Sequence, residues 1–183
     1  VMAAAGEAGY IFHLAAESLK ADSEFVLDVC RRDDNARALE YASQALKADS
    51  EFMLEACRID GSAVEHASVE LKNDEAFVGK VMDFAPEYAY QFASDEIKRD
   101  RELVLQLARK SPGILEHIPE EFRQDREIVM TAIDESPRAF QNTAECLRDD
   151  RDFVLEVLNK CEEPGRLFEY VSERLRGDRE IVR

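Results

Sequence analysis

Tryptophan is absent from this 183-residue chain, and glycine (7) and proline (5) are scarce. With Ala, Leu, Glu, Arg and Val dominant, the composition is helix-friendly. Four cysteines at this length, with no CxxC pair, do not make a disulfide framework. An intracellular, reducing setting is therefore expected, cytoplasmic or organellar. No apolar run approaches the roughly 18 residues of a membrane span. The opening stretch, VMAAAGEAGYIFHLAAESL, lacks the basic residues of a signal peptide. Positive charge is also short, with 24 Lys and Arg against 40 Asp and Glu, a net charge of −16. Nucleic acids are poor partners for such a chain, because phosphate contacts need cations. A protein with a basic surface fits better. Phosphate-loop, dinucleotide, zinc-protease and serine-elbow motifs are all missing, so no cofactor, metal site or catalytic residue is assigned and the chain reads as non-enzymatic.

What is present is repetition. LKADSEFVL (19–27) and LKADSEFML (46–54) are nearly the same nonapeptide, and five further segments align with them: LKNDEAFVG, IKRDRELVL, FRQDREIVM, LRDDRDFVL and LRGDREIVR. They share Asp22, Asp49, Asp74, Asp100, Asp125, Asp150 and Asp178, spaced by 27, 25, 26, 25, 25 and 28 residues. A fixed period of this size marks a repeat array.

Each repeat reads as two short helices. The shared Asp suits the N-cap of the first. An acid follows two positions later in six of seven copies (Glu24, Glu51, Glu102, Glu127, Asp152, Glu180), where it answers the helix dipole. Apolar residues three, four, seven and eight after the Asp, such as Phe25, Val26, Val29 and Cys30, follow helical spacing. A second helix, B, is expected to begin near Pro86, Pro112 or Pro137, with Ser111 and Ser136 as N-caps. It is expected to run to the Leu that opens the next nonapeptide. Its face, Ala38, Leu39, Ala42 and Ser43 in one copy and Ala63, Val64, Ala67 and Ser68 in the next, is apolar or small, as close helix approach requires. A pair of about 25 residues cannot bury its own apolar side, so each must stack on another. The expected fold is all-α: an α-solenoid of six whole units in one array over 1–183, with half units at 9–19 and 178–183, cut from a longer array.

The pattern L-[KR]-x-D-x-E-[FIL]-V-[LM] followed by A-[LF]-x-x-A-S-x-x-L resembles the domain-of-unknown-function family 4116, whose repeats form long arrays in protists, algae and some intracellular bacteria. LKADSEFVLDVC, LKADSEFMLEAC and DREIVMTAI carry the likeness best, and it extends over nearly the whole chain. CRRDDNARALEY and KCEEPGRLFEY depart from it by insertions of two or three residues. The resemblance implies an interaction array and transfers no chemistry.

Candidate sites are therefore surfaces. His66 and His117 occupy equivalent positions two repeats apart, about 20 Å on helix-packing distances, too far to share a metal. Cys30 and Cys57 are equivalent core positions in adjacent repeats, better read as packing than as a disulfide. The row five residues before the helix-B Leu includes Tyr41, His66, Phe92, His117 and Tyr170, and the acids just before it include Glu40, Glu65, Glu116 and Glu169. Helical geometry turns this row away from the core. An acidic face set with aromatics can hold a basic protein surface through ion pairs and cation–π contacts. It can equally be a solvated face whose rings pack on the neighbouring repeat. A charged ladder is expected between the cation after each Leu and the acid after each Asp. The leading function is a helical-repeat protein that mediates protein–protein interaction or serves as a structural or linker subunit of a larger assembly. The alternative is a targeting or regulatory array of a longer protein with an enzyme domain elsewhere.

Overall fold

The computed structural model describes residues 12–33 and 36–182. Every helix among them is short, and none of the described residues forms a strand. The first segment of each repeat, helix A, is as expected: Ser23–Asp33, Ser50–Ile59, Glu75–Met82, Arg101–Lys110, Arg126–Glu135 and Arg151–Lys160. The shared Asp caps each one. Asp22, Asp49 and Asp150 accept the N–H of Phe25, Phe52 and Phe153, each at 3.0 Å. Asp74, Asp100 and Asp125 accept that of Ala76, Glu102 and Glu127 at 2.9, 2.8 and 3.0 Å. Asp178 accepts from Glu180 at 2.9 Å, but the chain there forms turns rather than a further helix. Gly9–Ile11 of the expected N-terminal half unit, and Asp34 and Asn35 of the first insertion, lie outside the described residues.

Helix B is not one helix, which corrects the two-helix reading. It opens as a 3₁₀ helix in five whole repeats and as an α-helix, Pro86–Phe92, in the other. Pro86, Pro112 and Pro137 stand at its first position as expected, but the hydroxyls of Ser111 and Ser136 do not cap it. It stops at the row of Tyr41, His66 and Phe92. The next residue is extended: Ala42 has φ −62° and ψ 153°, Ala67 φ −60° and ψ 150°. A separate four-residue helix, C, then carries the Leu: Gln44–Lys47, Val69–Lys72, Asp95–Lys98, Glu120–Arg123, Glu145–Arg148 and Glu173–Arg176. The serine before it is a cap. Ser43, Ser68, Ser94 and Ser172 accept the N–H of Leu46, Leu71, Ile97 and Leu175, each at 3.3 Å.

In four copies the serine hydroxyl offers the chain a local alternative to the helical bond, and Pro119 and Ala144 make the same break without one. The freed backbone N–H then reaches across the repeat boundary: Ser43 to the carbonyl of Lys20 (2.9 Å), Ser68 to Lys47 (2.8 Å), Ser94 to Lys72 (3.1 Å), Ala144 to Arg123 (3.1 Å) and Ser172 to Arg148 (3.1 Å). A continuous helix would spend that donor within itself. The series skips the carbonyl of Lys98, because the residue in register is Pro119, which has no N–H.

The chain divides into two compact units, 1–97 and 98–183, a boundary that falls at this same Lys98. In the first, helix A at 23–33 packs on that at 50–59, and that on 75–82. In the second, 101–110 packs on 126–135, and that on 151–160. The cores are the predicted stripes: Val26, Met53, Val78, Leu39 and Val64 in the first unit and Val104, Val129, Val154, Leu115 and Phe140 in the second are fully buried. Ten-residue helices are marginal alone, so this contact with neighbours holds them. Gly61 shows how closely repeats meet, since a Cβ there would stand 2.8 Å from Ala85 Cβ and from Tyr88 Cδ2.

Candidate functional site

The sequence-predicted row occupies the last residue of successive B segments. In the first unit Tyr41 ends Arg37–Tyr41, His66 ends Gly61–His66 and Phe92 ends Pro86–Phe92. These segments pack side by side, so the three residues form a real row. Tyr41 is 36% exposed and lies against His13, ring centroids 5.7 Å apart and planes tilted by 48°; His66 and Phe92 are half-buried. Glu40 and Glu65, just before them, are exposed. In the second unit His117 follows Pro112–Glu116 directly, Tyr170 ends Phe168–Tyr170, and Glu116, His117 and Glu169 are exposed. Tyr170 hydrogen-bonds Glu169, and this bond holds its phenol above the usual tyrosine range.

A second row of acids, two residues before the helix-C apolar residue in five copies (Glu17, Asp95, Glu120, Glu145, Glu173), starts the C helices, where the dipole of that helix accounts for them. In two copies the cation after the Leu turns away from the acid after the Asp. Lys47 Nζ folds back to the carbonyl of Glu40 at 2.8 Å, and Lys72 Nζ to that of Glu65 at 2.5 Å, where it also lies 5.8 Å from the centre of the Phe92 ring. Partial burial lowers both lysine pKa values, and it lowers that of His66, which sits between Glu65, Glu40 and these two lysines. The face is thus a mixed strip, with exposed carboxylates and the Lys72 ammonium group over the Phe92 ring.

The charged ladder exists with another cation. In the second unit it is the arginine directly after each shared Asp. Arg101 Nε donates to Asp125 Oδ2 at 2.7 Å and its Nη2 to Glu127 Oε2 at 2.6 Å. Arg126 Nη1 donates to Asp150 Oδ2 at 3.0 Å, and Arg151 Nε to Asp178 Oδ2 at 3.0 Å with Glu180 beside it. Sequence reasoning saw the acids and missed these arginines. The signal was DR in four consecutive copies.

The same unit holds a cleft of about 710 Å³ where the second insertion widens the turn after Arg151–Lys160. Two of its cations are paired: Lys160 with Asp134 at 2.9 Å and Arg166 with Glu163 at 2.7 Å. Cys161 is on its wall, and Cys146 is exposed. Cys30 and Cys57 are buried; burial, then the charge of Asp60, pushes the Cys57 thiol up to about 12. Among the described residues no group of His, Cys, Asp or Glu is placed to hold a metal, and no helix is long and apolar enough to cross a membrane.

A family model described as "Domain of unknown function (DUF4116)" matches residues 49–98, 86–123, 100–148, 125–164 and 150–183. The chain belongs to this family. Four of the five matched segments start at a shared Asp, the N-cap seen in the structure. The matches begin at residue 49, so the resemblance expected over nearly the whole chain is matched from the second Asp onward. No curated protein and no solved structure matches the chain.

Proposed function

We propose that this DUF4116 chain is a non-enzymatic helical-repeat protein that binds or bridges proteins, as an interaction or structural subunit of a larger assembly, and that its partner presents a basic surface. The observation that supports this reading is the row formed by Tyr41, His66 and Phe92, regularly spaced, partly exposed and fringed by Glu40 and Glu65. A solvated face needs no rings; rings beside carboxylates suit guanidinium and ammonium groups. Four cysteines with no disulfide among them fit a reducing intracellular compartment.

The test is quantitative capture from native extract at low salt, comparing the chain with Tyr41→Ala/Phe92→Ala and with Glu40→Gln/Glu65→Gln. The reading expects specific proteins held by the unaltered chain to be depleted several-fold by both double variants, with melting temperatures within a few degrees. Equal capture by all three contradicts it. A large fall in melting temperature for the ring variant assigns those rings to packing, and the glutamine variant then decides alone.

A further inference from the structure

Two cations at the end of helix C in the first unit are spent within their own repeats: Lys47 Nζ donates to the carbonyl of Glu40 and Lys72 Nζ to that of Glu65. The same position in the second unit holds Arg123 and Arg148, after the buried Phe122 and Leu147. Neither arginine makes a hydrogen bond or an ion pair with any described residue, although Glu120 and Glu145 stand three residues earlier on the same short helices. Both side chains are half-buried. Their Nε–H groups are enclosed without an acceptor, whereas the terminal Nη groups are open to solvent. An arginine held in this way has already given up much of the hydration and side-chain freedom that binding costs. Its Nη donors have no acceptor within the chain, and only an outside anion can supply one.

The matching anions are in this same sequence. Arg123 and Arg148 stand one repeat apart, and so do Glu40 and Glu65. Both pairs take their separation from the stacking of repeats, about 10 Å. With Lys47 and Lys72 turned to backbone carbonyls, the Glu40 and Glu65 side chains are left exposed along the row of Tyr41, His66 and Phe92. We infer that Arg123 and Arg148 of one copy dock on the Glu40/Glu65 strip of a second copy, so that the chain associates head to tail. This rests on the proposed reading of that strip as a receptor for basic groups, and names the partner. Guanidinium suits it better than ammonium, because the planar group donates to a carboxylate while lying on an aromatic face. The net charge of −16 opposes contact between copies. At physiological ionic strength, however, exposed charges more than about 8 Å apart are largely screened, and part-buried pairs in contact much less so.

The experiment is sedimentation velocity of the purified chain at about 0.15 M salt, over protein concentrations from about 10 μM to about 1 mM. The weight-average mass rises with concentration, as for a Kd of about 100 μM. Arg123→Gln/Arg148→Gln and Glu40→Gln/Glu65→Gln each weaken the association about tenfold on their own. An equimolar mixture of the two recovers it, because each variant brings one intact surface, and the mixture stops at a pair. Arg123→Lys/Arg148→Lys keeps the charge, gives the second unit the cation of the first, and weakens association about fivefold. That variant decides if glutamine at these half-buried positions lowers the melting temperature. A chain that stays monomeric throughout overturns the inference, even where capture from extract depends on Glu40 and Glu65, a result that keeps the strip and denies this partner. Association unchanged in either glutamine variant, or not recovered on mixing them, overturns it as well.

Discussion

Thr143 is 2% exposed, and its hydroxyl has no hydrogen-bond partner. Equivalent positions hold Ala42, Ala67, Ala93, Ile118 and Val171, all buried, so the site is apolar by design of the repeat. Thr143→Val keeps the shape and removes an unsatisfied group; it should stabilise the chain by about 1 kcal/mol in thermal denaturation. Gly61→Ala should do the reverse, costing about 1–3 kcal/mol, because the added methyl meets Ala85 and Tyr88 at 2.8 Å. His66 gives a pH signature. Burial lowers its pKa, so the unfolded chain binds its proton more readily than the folded one. Stability therefore falls as pH drops below about 6.5 toward the folded pKa. His66→Gln should flatten that slope in melts between pH 7 and pH 5. The capping aspartates were legible at this scale because a single position repeats seven times with an acid two residues on. The Arg101, Arg126 and Arg151 clasps were not, because their partners lie one repeat away and only the lateral register of helices A brings them together.

At the scale of elements, the helix-B segment held the misreading. Ala38, Leu39 and Ala42 follow a 3.6-residue period, and the stripe is indeed buried, but a 3₁₀ turn followed by an extended residue keeps the same side inward without one helix. The warning sign was serine followed by acids, as in Ser94–Asp95–Glu96, the signature of a helix start rather than of a helix middle. Ser68 and Ala144 share the same cap geometry, φ −60° with ψ 159° and 149°, while Ala144 lacks the hydroxyl. Ala144→Ser should accordingly gain about 0.5–1 kcal/mol, and Ser68→Ala should lose a similar amount, both read from melting curves. If neither variant shifts the melt, the serine cap is irrelevant to the joint.

At the scale of the whole molecule, the two units are fastened differently. Arg clasps recur in 98–183, whereas the first unit has Ser23, Ser50 and Glu75 in their place. Hydrogen bonds from Arg101 hold Asp125 below the usual carboxylate range; Ser172 and Arg174 do so for Asp149, and the Glu180 amide and Arg151 for Asp178. A depressed carboxylate stabilises the fold above its unfolded pKa and stops doing so as pH falls through the folded value. The second unit should thus loosen below about pH 4, and high salt should loosen it more than the first. The all-α repeat character was readable from the period alone. The joint between repeats was not, since it depends on a backbone donor released by the break before helix C. That joint is tested most directly by residue-resolved amide hydrogen exchange at neutral pH. The account predicts that the N–H groups of Ser43, Ser68, Ser94, Ala144 and Ser172 exchange as slowly as amides in the middle of helix A. Exchange as fast as that of the exposed first-turn amides would mean that the repeats are not bonded to their neighbours in this way.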